Sequence, residues 1–228
     1  MGYREMLPRR APTRRAMLKR VARFSRLKGF DGGLPDSRHP SALRTLYNVI
    51  GFQPPKSERG AIGSPVGRDA ARNAAIKISE GFNLGYCRAK PGKGPMMHNH
   101  DTNETFICMT GVWRASWLDP KGREQHVDLK PLDLISFPAG AIRRFMNVTQ
   151  GPRNRDSILM FVIGGDAPNA EFSKEAMAEL ERSGLLPGAG QPAKARRAPA
   201  GTSRGFPRPS RTARRGAAAG ARRPARDT

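Results

Sequence analysis

The sequence predicts an all-β fold, a sandwich or closed barrel of short strands, followed by one C-terminal helix and flanked by basic tails. Three observations predict it. First, residues 75–165 run as short apolar or alternating segments separated by Pro/Gly turn signals, the pattern of a sandwich or barrel. Second, the net charge of +22 belongs to the ends. Residues 1–30 hold ten Lys/Arg against one Glu, and residues 188–228 hold eleven against one Asp, leaving 20 basic and 17 acidic groups between them. That middle has ordinary globular composition and is long enough for one domain of roughly 110–150 residues with a real core. Third, a His-x-His pair and a Glu four positions later sit where two of these strands begin.

The chain divides into a basic segment (1–30), an arm (31–71), the β domain (72–165), a helical segment (166–187) and a tail (188–228). In the first segment Met17, Leu18, Val21, Phe24 and Leu27 recur at helical spacing, so a short basic amphipathic helix over Ala16–Leu27, or a disordered leader, is expected. Such a segment can touch anionic lipid or nucleic acid, or serve as a presequence. Ser41–Ile50 has some helical character, and 53–67 is a Pro/Gly-rich loop. The arm is expected to pack along the domain, or across a partner subunit.

Strands are expected at Ile76–Ser79, Phe82–Lys90, Met96–His100, Glu104–Met109, Val112–Leu118, Glu124–Leu129, Asp133–Phe137, Arg143–Val148 and Ser157–Ile163. Asp119-Pro120-Lys121-Gly122 carries Pro and Gly at the second and fourth positions of a β-turn. Ala170–Ser183 reads as a helix closed by Gly184, with Phe172, Ala176, Met177 and Leu180 as its apolar stripe. Beyond Pro187 the Ala/Arg/Gly/Pro composition has no periodicity and predicts disorder. Cys87 and Cys108 lie inside strands, which favours two reduced core thiols in a cytoplasmic protein over a disulfide. No apolar run approaches the ~20 residues of a membrane span, and no signal peptide is apparent.

The chemistry concentrates in Gly92–Gly111. Side chains two apart on a strand face the same way, so His98 and His100 point to one side of a sheet. Glu104 opens the next strand and can reach that side. Two imidazoles and a carboxylate are a coordination shell for a divalent transition metal.

These residues resemble a known family. Gly92, five residues, His98-Asn99-His100, three residues, Glu104, six residues, Gly111 is similar to the first cupin motif at every fixed position. The second motif is matched at Pro138, Gly140 and Asn147, but Leu132 stands at its Gly position and Arg143 at its His position. The resemblance covers about residues 72–165 and implies a small single-domain cupin, a jelly-roll β-barrel with its metal inside; a homodimer is expected besides. It implies that His98, His100 and Glu104 hold iron, manganese, nickel or zinc. Arginine only donates, so Arg143 cannot be the fourth ligand. Three arrangements stay open. Arg143 can orient a substrate carboxylate beside a three-ligand metal, and is then the candidate catalytic residue. It can instead pair with Glu104 in a site without metal, or turn outward.

The leading expectation is a metal-dependent oxidoreductase of dioxygenase type, or an isomerase or lyase, acting on a small anionic molecule. The competing one is a non-catalytic binding module in which Arg143 anchors an anionic ligand or pairs with Glu104. Among other candidates, His126 is expected at the surface and Cys108 in the core. Trp113 and Trp117 are expected in packing or at a dimer interface, and Asp101 and Asn103 as loop formers. Nucleic acid is expected to bind only unspecifically, through the tails. No catalytic triad, P-loop, CxxC or dinucleotide fingerprint is present.

Overall fold

The computed structural model describes residues 7, 9–31, 34–53, 62–67, 72–151 and 156–186. The tail expected to be disordered lies outside them. The strands are β1 (Thr45–Ile50), β2 (Ile62–Gly63), β3 (Phe82–Ala89), β4 (His98–His100), β5 (Glu104–Cys108), β6 (Trp113–Leu118), β7 (Glu124–Leu129), β8 (Leu134–Phe137), β9 (Arg143–Asn147), β10 (Ser157–Gly164) and β11 (Ala170–Phe172). They form two antiparallel sheets, ordered β1-β3-β10-β5-β8 and β2-β11-β4-β9-β6-β7. From β3 to β6 each strand changes sheet, and the later strands return beside the earlier ones. Eight strands wound as two Greek keys across two sheets are a jelly roll.

The fold is therefore all-β, as expected, but neither sheet closes into a barrel. At one side β7 and β8 remain as separate edges. The turn between them carries the chain from one sheet to the other, its Leu132 amide donating to the Cys108 carbonyl. β7 is exposed along nearly its whole length and carries Glu124, Gln125, His126 and Asp128, charges that discourage pairing with another edge.

The inner faces follow from period-two alternation. β5 and β9 alternate buried and half-buried residues from their first position, and β3 and β10 do the same over eight residues each. Trp113, Phe106, Leu159, Phe161 and Ile163 fill the interior, and Phe106 meets Phe145 edge-on with ring centroids 4.6 Å apart.

Four local expectations are corrected. The N-terminal helix is only α1 (Arg14–Leu18), and it buries nothing. Phe24 instead sits in a 3-10 turn and packs on Tyr47 and Tyr86 at 5.7 and 5.2 Å, an apolar platform that a free helix could not supply. Ser41–Ile50 is not helical. After a 3-10 turn at Pro40–Ala42 it becomes β1, because β3 offers an unpaired edge with which Leu46–Asn48 register. Ala170–Phe172 is strand β11, paired with β4, and α2 (Lys174–Arg182) starts only after Ser173, whose hydroxyl caps the Ala176 amide. The expected strand at Ile76–Ser79 reduces to a single bridge between Ile50 and Ile76.

Candidate metal centre

β4 lies in one sheet and β5 in the other, and the loop Asp101–Asn103 crosses between them. This crossing explains the His-x-His-x3-Glu spacing. The histidines share the inner face of β4, and the short loop delivers Glu104 from the facing sheet. The ligand atoms of His98, His100 and Glu104 all lie within 4.8 Å of one another, and all three residues are buried. The fourth motif position, Arg143, stands directly opposite His98 in the β4–β9 register.

Each imidazole is fixed from behind. His98 Nδ1 lies 2.7 Å from the Met96 carbonyl and His100 Nδ1 lies 2.8 Å from the Asn169 carbonyl. A carbonyl only accepts, so each Nδ1 carries a proton, and in the neutral ring it is Nε2 that presents its lone pair to the site. Orientation by a backbone carbonyl is the usual support for a metal-ligating histidine.

Two aspartates hold those carbonyls in turn. Asp101 accepts from the Asn169 amide at 2.8 Å and its side-chain amide at 2.7 Å, which fixes the residue behind His100. Asp36 Oδ2 accepts from the Met96 amide at 3.1 Å, which fixes the residue behind His98. Asp101 was expected to form a loop or to pair with Arg143, and Asp36 was not singled out at all. Their partners lie 68 and 60 residues away, so no local spacing marks them.

Glu104 is the charged centre. Burial by itself raises its pKa, but the positive charges of His100 and Arg143 outweigh that and hold it down at about 2. His98 is held well below the ordinary imidazole range, first by burial and then by Arg143 and His100. Arg143 is fully buried. Its Nε and Nη2 both donate to Glu104 Oε2, at 3.2 and 2.7 Å, and its Nη1 donates to the Ala141 carbonyl at 3.2 Å. Among the described residues Glu104 Oε1 has no hydrogen-bond partner. His100 Nε2 faces Oε2 at 3.4 Å, an ion pair when the ring is protonated and a pair of facing acceptors when it is neutral.

The donor set therefore fits a divalent transition metal held by His98 Nε2, His100 Nε2 and Glu104. The donors open onto a cleft of about 440 Å³, part of it solvent, walled by Leu46, Phe145, Phe161, Ile163 and Phe172. Arg143 is not among the lining residues, but Arg44 is. The remaining candidates lie elsewhere. His126 is exposed on β7. Trp113 is in the core, its indole N–H donating to the Thr110 carbonyl. Cys87 and Cys108 are free, buried thiols pushed up by burial to about 12 and about 11, which leaves them protonated and poor as metal ligands.

No family model matches the chain, and no curated protein matches it by sequence. Solved structures do. A recombinant oxalate oxidase in complex with glycolate aligns at 13% identity over 63% of this chain and 62% of that one, with a TM-score of 0.42. The oxalate decarboxylase of Lactobacillus farciminis, as a formate complex, aligns at 13% identity over 56% and 35%, with a TM-score of 0.39. Vicilin from Corylus avellana (hazelnut) aligns at 15% identity over 41% and 25%, with a TM-score of 0.37. The chain spans less than two thirds of each of these proteins. At such identities and scores they do not bear on its chemistry.

Proposed function

We propose that this jelly roll is a metal-binding cupin whose cleft takes a small anionic molecule for oxidation, isomerisation or a lyase step. The observation that carries the reading is the pair of Nδ1–carbonyl hydrogen bonds, which turn both Nε2 atoms toward the buried carboxylate of Glu104. A bound dication supplies Lewis acidity to an oxygen ligand. The chain's own residues do the rest. His98 and His100 are oriented by the carbonyls behind them, burial holds His98 neutral, and Glu104 is kept ionised. Arg143 tethers one oxygen of that carboxylate and leaves the other for the metal. The aromatic wall lowers the local dielectric, which strengthens the charge interactions beside it.

The experiment is metal analysis of the purified chain and titration with Fe(II), Mn(II), Ni(II) and Zn(II). Uptake of about one metal per chain, abolished by His98→Ala, is the expected outcome. No uptake of any of the four would defeat the reading. Arg143→His adds a third imidazole as a fourth ligand and removes a nearby cation, so it is expected to tighten the metal about tenfold or more.

A second reading rests on the Arg143–Glu104 contact itself. Two N–H groups on one carboxylate oxygen satisfy a buried charge without a metal, which suits a non-catalytic binding module. An apo wild type alongside a metal-binding Arg143→His variant would establish that alternative.

A further inference from the structure

The cleft has a second built polar feature, distinct from the metal donors. Arg44 enters its wall at the start of β1 and is 6% exposed. Its Nη2 donates to Asp36 Oδ1 at 2.9 Å and its Nη1 to the Ala42 carbonyl at 2.8 Å. The guanidinium is thereby locked in one orientation. Its Nε–H has no partner among the described residues. A locked arginine in the cleft wall with one N–H left over is a preorganised oxyanion anchor.

We infer that Arg44 is the carboxylate anchor of this cleft and that the ligand is a singly charged carboxylic acid with an apolar body. The inference rests on the reading of the cleft as a ligand site. The charge is argued from Asp36. A carboxylate already beside Arg44 leaves room for one further negative charge and repels a dianion such as phosphate. The apolar body is argued from the walls. Phe145, Phe161, Ile163 and Phe172 offer rings and methyls with few polar groups among them, so polar contacts fix one end of the ligand and burial holds the other. Arg143 cannot serve this purpose in the structure, because Glu104 and Ala141 occupy its donors and it stands outside the cleft lining.

Arg44 has a second consequence. Asp36 grips both Arg44 and the Met96 amide, and the Met96 carbonyl orients His98. Ligand binding at Arg44 is thus linked through one carboxylate to an imidazole of the metal set.

The test is calorimetric titration of the full-length chain with benzoate, hexanoate, benzyl alcohol and inorganic phosphate, with metal content measured in parallel. Benzoate or hexanoate should bind at least tenfold more tightly than benzyl alcohol or phosphate. Arg44→Lys keeps the charge beside Asp36 but removes the fixed Nε–H. In a variant that still melts cooperatively, it should lose that preference tenfold or more. Equal binding of benzoate and benzyl alcohol by the wild type, or no binding of either carboxylate, overturns the inference whatever the variant does. So does unchanged benzoate affinity in a folded Arg44→Lys. A purely structural Arg44 would lower the melting temperature and metal content without changing the preference between ligands. If the wild type takes no metal yet binds benzoate through Arg44, the metal reading fails and this one stands.

Discussion

Glu104 and His98 set the acid limit of the metal-free protein. Burial disfavours the charged form of both, yet only His98 yields to it, because Glu104 has Arg143 and His100 as opposite charges within reach. An unfolded chain protonates His98 near pH 6.5 while the folded one resists. Stability therefore falls as the pH drops below that value. Glu104 titrates near 4.5 when unfolded and about 2 when folded. Its contribution, on the order of 3 kcal/mol, is complete above pH 4.5 and is lost as the pH falls toward 2. Denaturant midpoints of EDTA-treated protein should decline continuously from about pH 6.5 downward. A flat or rising profile over that interval would contradict both assignments.

Among the elements, the turn from β7 to β8 carries a visible cost. Leu132 stands where the second motif has glycine and adopts φ +77, in the left-handed region. Its side chain is 81% exposed, so it gains little burial in return for the strained backbone. Leu132→Gly should therefore stabilise the protein by about 1 kcal/mol, which raises the melting temperature by about 2–4 °C in a domain of this size. A lower melting temperature would mean that the exposed leucine makes contacts outside the described chain. The matched motif positions divide along the same line. Asn147 is fully buried, donates to the Ala89 carbonyl at 2.8 Å and accepts from the Thr149 amide at 2.9 Å. It satisfies backbone groups of neighbouring strands, and its role in the motif is architectural rather than chemical.

For the whole molecule, charge and fold are separable. Among the described residues no helix is long and apolar enough to cross a membrane. The +22 charge is carried mostly by residues 1–30 and 188–228. Deleting 188–228 should leave the melting temperature and metal uptake unchanged. It should also weaken retention on DNA, with a shallower dependence on salt. Unchanged DNA retention would place the binding elsewhere. The strands of the jelly roll were legible because inward and outward residues alternate with period two over segments of five to eight residues, as in β3, β5, β9 and β10. β1 and β11 were misread as helix because what decides them is a neighbour, β3 or β4, rather than their own composition.

The sequence by itself determined the all-β class, the inward pairing of His98 with His100 and the place of Glu104 at the start of the next strand. Each of these depends on local periodicity or on the length of one short loop. Tertiary structure alone decided that Arg143 spends its donors on Glu104, 39 residues away, and that Asp36 and Asp101 support the carbonyls behind the two imidazoles. It also decided that Arg44 is the arginine on the cleft wall. A buried charge takes whichever partner the folded chain brings within hydrogen-bond reach, and the spacing of residues along the sequence carries no record of that choice.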